Sequence, residues 1–132
     1  TLNDRHAIVS FKTKANTITQ AVLEGFLQAH QKSRSQFDAM IIWQYQAKDF
    51  SFGANLKDIL DAAKKRQFSK IAELIDSFHL VAKTLKSSSI PTICAIAGRC
   101  LGGGTEIALH TQARVASIES YIGLPETGIG VI

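Results

Sequence analysis

Apolar and polar residues follow two different periods along this chain, one typical of strands and one typical of helices. Residues 6–11 alternate, which predicts a strand, and the bulky apolar run at residues 39–45 predicts a second strand. Residues 91–97 predict a third strand that is buried. Two short strands are predicted at residues 113–117 and 121–123.

Apolar residues spaced three and four positions apart predict helices between these strands. The strongest such pattern covers residues 68–86 and ends before Pro91. Its predicted apolar stripe consists of Ile71, Leu74, Ile75, Phe78, Val81, Ala82 and Leu85. Thr17 or Thr19 is expected to cap a helix that runs to about Gln31. Its predicted apolar face consists of Ile18, Val22, Phe26 and Ala29. A short helix starting at Asn55 or Asp58 and another at residues 103–110 complete an alternating order, which predicts an α/β fold.

Composition and charge argue against nucleic-acid-binding and membrane-spanning classes of protein. The chain has 132 residues, of which 45% are hydrophobic and 20% charged, as expected for one globular domain. The net charge of +4 suits a ligand that carries phosphate. No stretch interleaves basic and aromatic residues, so no nucleic-acid partner is expected. The apolar runs are too short for a membrane span, and no signal peptide is visible.

The cysteines and histidines do not form a metal-binding pattern. Cys94 and Cys100 are too few and wrongly spaced for a zinc site, and the four histidines show no metal spacing. We expect no metal and two reduced, buried thiols, with Cys94 on a strand and Cys100 on its exit loop. Reduced thiols favour a cytoplasmic location.

Both ends of the chain suggest a longer polypeptide. The first residue is not Met, and the last residues, 130–132, lie within a glycine-rich segment. Residues 1–132 are therefore expected to be part of a domain that is cut at both ends.

Candidate chemistry concentrates in residues 90–132. An apolar run leads into three glycines, Gly102, Gly103 and Gly104, and Glu106 follows two residues later. Glu126 comes 20 residues after Glu106. A glycine-rich turn that opens a helix can hold an anion on its backbone N–H groups, and two carboxylates can share a proton-transfer task.

Nucleotide binding and serine hydrolysis fit this segment poorly. A dinucleotide fingerprint needs a third glycine where Ile107 stands. The chain has no Gly-Lys-Ser/Thr of a P-loop and no Gly-x-Ser-x-Gly elbow. The remaining interpretation is an oxyanion site, in which backbone N–H groups bind a developing negative charge. Residues 50–55 form a second glycine turn after a strand and before a helix, and they are the candidate source of a second donor.

Three segments in register resemble the signatures of the enoyl-CoA hydratase (crotonase) superfamily. They are Phe-Ser-Phe-Gly-Ala-Asn-Leu at 50–56, Leu-Gly-Gly-Gly-Thr-Glu at 101–106 and Gly-Leu-Pro-Glu at 123–126. Their order, the elements between them and the spacing of the two glutamates all agree with that family. The resemblance covers the chain from its first strand to its end. It implies a crotonase-like spiral of repeated ββα units, truncated in this chain.

The resemblance also implies an activity, the hydration of trans-2-enoyl-CoA to 3-hydroxyacyl-CoA in fatty-acid β-oxidation. The Ala54 and Gly103 N–H groups would form the oxyanion hole for the thioester carbonyl of an acyl-CoA. Glu126 would donate a proton to Cα, while Glu106 would orient the water and help to deprotonate it. Further residues implied to bind substrate are Phe52, Gly53, Asn55, Gly102 and Gly104.

Two positions depart from the family pattern, and one subgroup is favoured. Asn55 stands where many hydratases carry Asp, and Phe52 stands where a small residue is commoner. The residue sequences of the motifs most resemble the hydratase portion of bifunctional proteins in which a 3-hydroxyacyl-CoA dehydrogenase domain precedes the hydratase domain. Such a parent would use NAD, whereas this segment implies no cofactor of its own. Members of the family are usually homo-oligomeric.

Several alternatives remain open at this stage. An enoyl-CoA isomerase shares the oxyanion hole but usually needs one acid, and a non-catalytic acyl-CoA-binding or assembly fragment would keep the fold without the chemistry. The glycines at 102–104 could serve packing alone. Glu106 could be an exposed first-turn acid favoured by the helix dipole, and Glu126 could be a surface residue.

Overall fold

The computed structural model describes residues 5–125 and residue 128, and it confirms the α/β class. Strands and helices alternate singly or in pairs, with a short 3₁₀ turn at Lys14–Asn16 before the first α-helix. The elements are β1 (His6–Val9), α1 (Gln20–Gln36), β2 (Ala39–Trp43), α2 (Leu56–Lys64), α3 (Phe68–Lys86), β3 (Thr92–Ile96), β4 (Arg99–Leu101), α4 (Gly103–His110), β5 (Ala113–Ala116) and β6 (Tyr121–Gly123).

The larger sheet is parallel, with the strand order β1-β2-β3-β5. Parallel neighbours need a long connection to bring the chain back to the same edge, and the helices provide it. Ala39, the first residue of β2, is buried. From Met40 onward in β2, and throughout β3, every second side chain is buried, as the two-residue period of a strand requires. These buried residues are Met40, Ile42, Thr92, Cys94 and Ile96.

A second, smaller layer of extended chain runs beside the larger sheet. Strands β4 and β6 pair in parallel within it, and isolated bridges join Ile18 to Ala54 and Ser51 to Cys100. Each turn of the chain thus contributes one strand to the large sheet and one short extended piece to the small layer. This arrangement is the repeated ββα spiral that the motifs implied.

The helices close the core over the sheet. Helix α1 packs on α3, and α3 packs on α4. Thr19 caps α1 by accepting a hydrogen bond from Val22 N–H at 3.3 Å. The fully buried apolar side chains form one cluster: Ile18, Leu23, Phe26, Met40, Ile42, Phe50, Val81, Leu85, Cys94, Ile96, Cys100, Ile107 and Ala108.

Some predicted boundaries and faces are wrong in detail. Helix α1 continues to Gln36, five residues past the predicted end, and its buried face is centred on Leu23 and Phe26. Val22 and Ala29, predicted on that face, are only partly buried. On α3, Ile75 belongs to the predicted apolar stripe but is 49% exposed.

The cysteines are buried and unpaired, as expected, although Cys100 lies in strand β4 instead of a loop. Burial raises the pKa of both thiols, that of Cys100 to about 11, so both stay protonated at neutral pH. None of the described helices is long and apolar enough to cross a membrane. Within residues 5–125 and 128, no group of His, Cys, Asp or Glu could hold a metal ion.

Phe50 links the core to the segment that follows β2, and we expect its removal to be costly. Its ring is 1% exposed and meets Phe11 edge-on, with 6.5 Å between the ring centroids. Because a buried cavity would remain, Phe50→Ala should lower the free energy of unfolding by about 3–5 kcal/mol. Phe68→Ala is the matched control, since Phe68 is 64% exposed. Urea unfolding measures both, and equal losses would contradict this assignment of the core.

Candidate active site

Two loops that are far apart in the sequence are held side by side by backbone hydrogen bonds. Ser51 N–H donates to the Arg99 carbonyl at 3.0 Å, and Leu101 N–H donates to the Ser51 carbonyl at 2.9 Å. The Ser51 hydroxyl accepts from Gly53 N–H at 3.0 Å and donates to the Asn16 carbonyl at 2.7 Å. Ser51 therefore joins the loop after β2 to strand β4, directly before α4 begins.

Gly53 allows the two loops to approach closely. Its φ is +81°, a conformation that residues with a side chain rarely adopt. A Cβ atom there would lie 2.8 Å from the Leu101 carbonyl oxygen and 3.0 Å from the Gly103 nitrogen. Any larger residue at position 53 would therefore push the loop away from the start of α4.

The Ala54 N–H points away from its nearest backbone neighbour. Ile18 pairs with the residues on either side of Ala54, accepting from Asn55 N–H at 3.2 Å and donating to the Gly53 carbonyl at 2.7 Å. Since successive N–H groups of extended chain face opposite sides, the Ala54 N–H faces away from Ile18. Within the described part of the chain it has no hydrogen-bond acceptor.

Gly103 supplies a second free donor beside it. Gly103 is the first residue of α4, where backbone N–H groups have no partner inside the helix and carry the positive end of the helix dipole. No acceptor for the Gly103 N–H lies among the residues that the structure describes. A Cβ atom on Gly103 would be 3.6 Å from the Ala54 nitrogen. Two unpaired N–H groups thus lie next to each other at the junction of the loops.

Glu106 lies on the same face of α4 as Gly103, because residues three apart are neighbours on a helix. Its side chain is exposed, and among the described residues its carboxylate makes no hydrogen bond or ion pair. Its own N–H donates to the Gly102 carbonyl at 3.0 Å, and its carbonyl lies 2.7 Å from His110 Nδ1. The carboxylate is therefore open to a ligand.

Glu126, the second predicted acid, lies outside the described residues. The strand that leads to it is fixed at the start of α4: Gly102 N–H donates to the Gly123 carbonyl at 3.0 Å, and the Thr105 hydroxyl lies 2.8 Å from the same oxygen. The chain therefore leaves β6 next to Gly102 and Gly103, three residues before Glu126.

The other predicted binding residues have local structural partners. Asn55 caps α2, accepting from Lys57 N–H at 3.2 Å, and its Nδ2 donates to Asp58 at 2.8 Å. Gly102 has a φ of +51° and turns the chain into α4. Gly104 packs on Ser51, and Phe52 is half-buried at the outer side of the loop.

Phe78 and Ser51 touch this junction, but the sequence patterns did not mark them as site residues. Gly103 packs against the Phe78 ring, since a Cβ atom on Gly103 would lie 2.7 Å from Phe78 Cε1. In the sequence Phe78 is one of several apolar residues in the stripe of α3, so its periodicity predicts burial and nothing more. Ser51 had no distinguishing signal.

A cavity of about 340 Å³ opens beside Asn55, between the start of α1 and helices α2 and α3. Its apolar wall is formed by Ile18, Ile59, Ala62, Ile71 and Leu74. Three acidic residues, Glu24, Asp58 and Glu73, and one lysine, Lys70, also line it. The cavity therefore favours an apolar guest over a polyanionic one.

Comparison with known proteins identifies the class to which this fold and site belong. The sequence profile described as Enoyl-CoA hydratase/isomerase matches residues 7–132. The chain therefore belongs to the enoyl-CoA hydratase/isomerase family, in agreement with the three motifs.

Individual relatives are longer than this chain. It is 31% identical over 131 residues to the probable 3-hydroxyacyl-CoA dehydrogenase of Bacillus subtilis, which covers 99% of this chain and 16% of that protein. It is 34% identical over 103 residues to the fatty acid oxidation complex subunit alpha of Shewanella frigidimarina, covering 76% of this chain and 14% of that protein.

Solved structures confirm the crotonase fold. An enoyl-CoA hydratase from Polaromonas superimposes with a TM-score of 0.90 at 17% identity, covering 98% of this chain and 51% of that one. At this identity the likeness shows the fold. The chain spans about half the length of that solved relative.

Gly104 tests how tightly the loops are fitted together. A Cβ atom at this position would lie 2.7 Å from Ser51 Cβ, and Ser51 is fully buried. Because neither backbone can yield easily, Gly104→Ala should lower the free energy of unfolding by about 1–3 kcal/mol. Gly25→Ala is the control, since Gly25 is exposed on α1 and nothing lies within 4 Å of its added methyl group. The Gly25→Ala variant should raise the free energy of unfolding by about 0.4–1 kcal/mol. If Gly104→Ala also raises it, the contact between Gly104 and Ser51 is not tightly packed.

Proposed function

We propose that this chain carries part of an enoyl-CoA hydratase site, which adds water to a trans-2-enoyl-CoA to give a 3-hydroxyacyl-CoA. The observation that carries the proposal is the pair of free N–H groups on Ala54 and Gly103, with the open carboxylate of Glu106 on the same face of α4. Family membership supports the same activity.

The two N–H groups would act on the thioester carbonyl. When water attacks C3, the electron pair of the C2–C3 double bond moves toward the carbonyl oxygen and forms an enolate. Donors placed roughly 2.7–3.1 Å from that oxygen stabilise its charge, and each is worth about 3–4 kcal/mol in comparable sites. The dipole of α4 adds to this effect, since Gly103 stands at its positive end.

The two carboxylates would divide the proton transfers. Glu106 orients the water and takes its proton as the new C3–O bond forms. Glu126 donates a proton to C2 as the enolate collapses, so that the elements of water are added across the double bond. A positioned carboxylate contributes about 10²–10⁴-fold to such a transfer.

The residues around the junction would position the rest of the substrate. The cavity beside Asn55 suits the acyl chain, because its wall is apolar and its acidic edge repels the phosphates of coenzyme A. Phe52, Gly53, Gly102 and Gly104 would shape the opening through which the thioester reaches the N–H groups. The reaction requires no redox cofactor or metal.

The proposal extends to the protein of which this chain would be a part. Its relatives include a probable 3-hydroxyacyl-CoA dehydrogenase and a fatty acid oxidation complex subunit. We therefore propose a truncated hydratase domain of a bifunctional β-oxidation protein with an NAD-dependent dehydrogenase domain. A cytoplasmic location and homo-oligomeric assembly are part of the same proposal.

An isomerase that moves a double bond along the acyl chain is the second candidate. It is favoured by the family description, which includes isomerases, and by the position of Glu106 as the one acid that the described residues place at the junction. A non-catalytic fragment that only binds acyl-CoA is the third, because the chain spans about half of its solved relatives.

Glutamine variants of the two acids separate these functions. Glu106→Gln and Glu126→Gln should each lower kcat for hydration of crotonyl-CoA by about 10²–10⁴-fold, because the amide cannot exchange the proton. Loss of the enoyl absorbance measures hydration, and calorimetry should show that acyl-CoA binding is retained. Glu119→Gln, an exposed acid between β5 and β6, is the control and should leave the rate unchanged.

The pattern of loss decides among the candidates. If the unsubstituted protein moves the double bond without hydrating it, and Glu106→Gln abolishes that migration while Glu126→Gln does not, the protein is an isomerase. If the unsubstituted chain binds acyl-CoA without turnover, the fragment is a binding module only.

A further inference from the structure

Arg99 donates three hydrogen bonds to the carboxylate of Asp49. It opens strand β4, four residues before Gly103. Its Nε and Nη2 donate to the two carboxylate oxygens of Asp49 at 2.9 and 2.8 Å, and its backbone N–H donates to Asp49 Oδ1 at 2.9 Å. Two parallel bonds from a planar guanidinium fix orientation as well as distance.

The same residue also contacts the three residues after Asp49. The Arg99 carbonyl accepts from Phe50 N–H at 2.9 Å and from Ser51 N–H at 3.0 Å. Its guanidinium lies over the Phe52 ring, 4.5 Å from the centroid. Arg99 thus contacts four consecutive residues, and Gly53 and Ala54 follow them directly.

The surroundings of this cluster are packed and polar. A Cβ atom on Gly98 would lie 2.1 Å from the Lys48 carbonyl oxygen, so the turn before Arg99 lies directly against the loop. The Asp49 carbonyl accepts from Asn16 Nδ2 at 2.8 Å. The side chain of Asp49 is 15% exposed and that of Arg99 is 49% exposed. Hydrogen bonds from Arg99 lower the pKa of Asp49 to about 2, so the pair stays charged at all working pH values.

The loop that bears Ala54 is held by contacts with other segments and not by regular secondary structure of its own. Strand β2 ends at Trp43 and α2 begins at Leu56, and the residues between them form no helix or strand beyond isolated bridges. The position of the Ala54 N–H therefore depends on two sets of contacts: the pairing of Ile18 with Gly53 and Asn55 on one side, and the contacts of residues 49–52 with Arg99 on the other. Gly103, in contrast, is placed by α4 itself.

The geometry points to Arg99 as a positioning residue that sets the spacing between the Ala54 and Gly103 N–H groups, through its pair with Asp49 and its stacking on Phe52. This inference rests on the proposed function, because the spacing matters only if both groups bind one oxygen. Arg99 touches no reacting atom in this scheme. It acts by holding the Ala54 N–H at the distance from the Gly103 N–H at which both groups can bind one oxygen.

Arg99→Lys is the informative substitution. Lysine keeps the charge but loses the planar two-bond geometry and the flat face that lies on Phe52. The matched control is Arg5→Lys, which changes another Arg–Asp ion pair, with Asp38, at the start of β1. Asp49→Asn and the double variant complete a cycle. If Arg99 and Asp49 act as a unit, the double variant should lose no more of the spectral shift and of kcat than either single variant does.

The readout is the polarisation of a bound thioester. Cinnamoyl-CoA has a chromophore conjugated to its carbonyl, and its absorption shifts to longer wavelength when two hydrogen bonds polarise that oxygen. The unsubstituted chain should shift the band, and Arg99→Lys should reduce the shift by about half or more. Its kcat for hydration should fall by about 10–100-fold with KM nearly unchanged, because a donor misplaced by about 1 Å loses its effect on the transition state.

Each outcome has a distinct meaning. A reduced shift and kcat with an unchanged urea midpoint support positioning. A normal shift and kcat in Arg99→Lys, with a clear shift in the unsubstituted chain, overturn the inference and leave the proposed function intact. The absence of any shift in the unsubstituted chain overturns the proposed function and this inference together. Arg5→Lys should match the unsubstituted chain in every measurement.

Discussion

The backbone contact between the loop at residues 50–54 and the start of α4 is the constraint on which the rest of the structure depends. Ser51 forms hydrogen bonds with Arg99 and Leu101, and Gly53 lies against Gly103. These contacts leave two N–H groups unpaired because their neighbours along the chain take the available partners. An unpaired buried donor is costly unless a ligand or water satisfies it. Under the proposed function, one bound carbonyl oxygen would satisfy both of these N–H groups.

The spiral explains why two distant segments meet at this point. Successive turns place one strand beside another in the large sheet, and the short extended pieces then stack in the same order. The loop after β2 and the turn before α4 belong to consecutive turns, so the stacking brings them together. Helix α3, which lies between them in the sequence, covers the junction with Phe78. The stacking of consecutive turns therefore forms both the hydrophobic core and the candidate site.

Sequence periodicity predicted most of the elements, although the end of α1 was wrong by five residues and β4 was not predicted. The bounds of α3 and α4 are confirmed, because one has five turns of regular apolar spacing and the other lies between a glycine run and a polar stretch. Strand β4 was missed because residues 99–101 lead directly into the glycine run and were interpreted as a loop, whereas β6, which is equally short, was predicted. The oxyanion-hole role of Ala54 and Gly103 came from the family resemblance and stays a prediction. The contacts of Arg99 with residues 49–52 left no signal in the sequence, because those residues are about 50 positions away. The role of Glu126 stays a prediction.

The fit of Gly104 against Ser51 has a consequence for how sequences of this family diverge. The space between the two backbones holds one small side chain, and in this chain position 51 fills it. A side chain at position 104 is compatible with the same stacking only if position 51 loses its own. The two positions should therefore change as a pair among relatives, although they are 53 positions apart in the sequence. Covariation of these two positions among relatives would therefore reflect the packing of consecutive turns of the spiral.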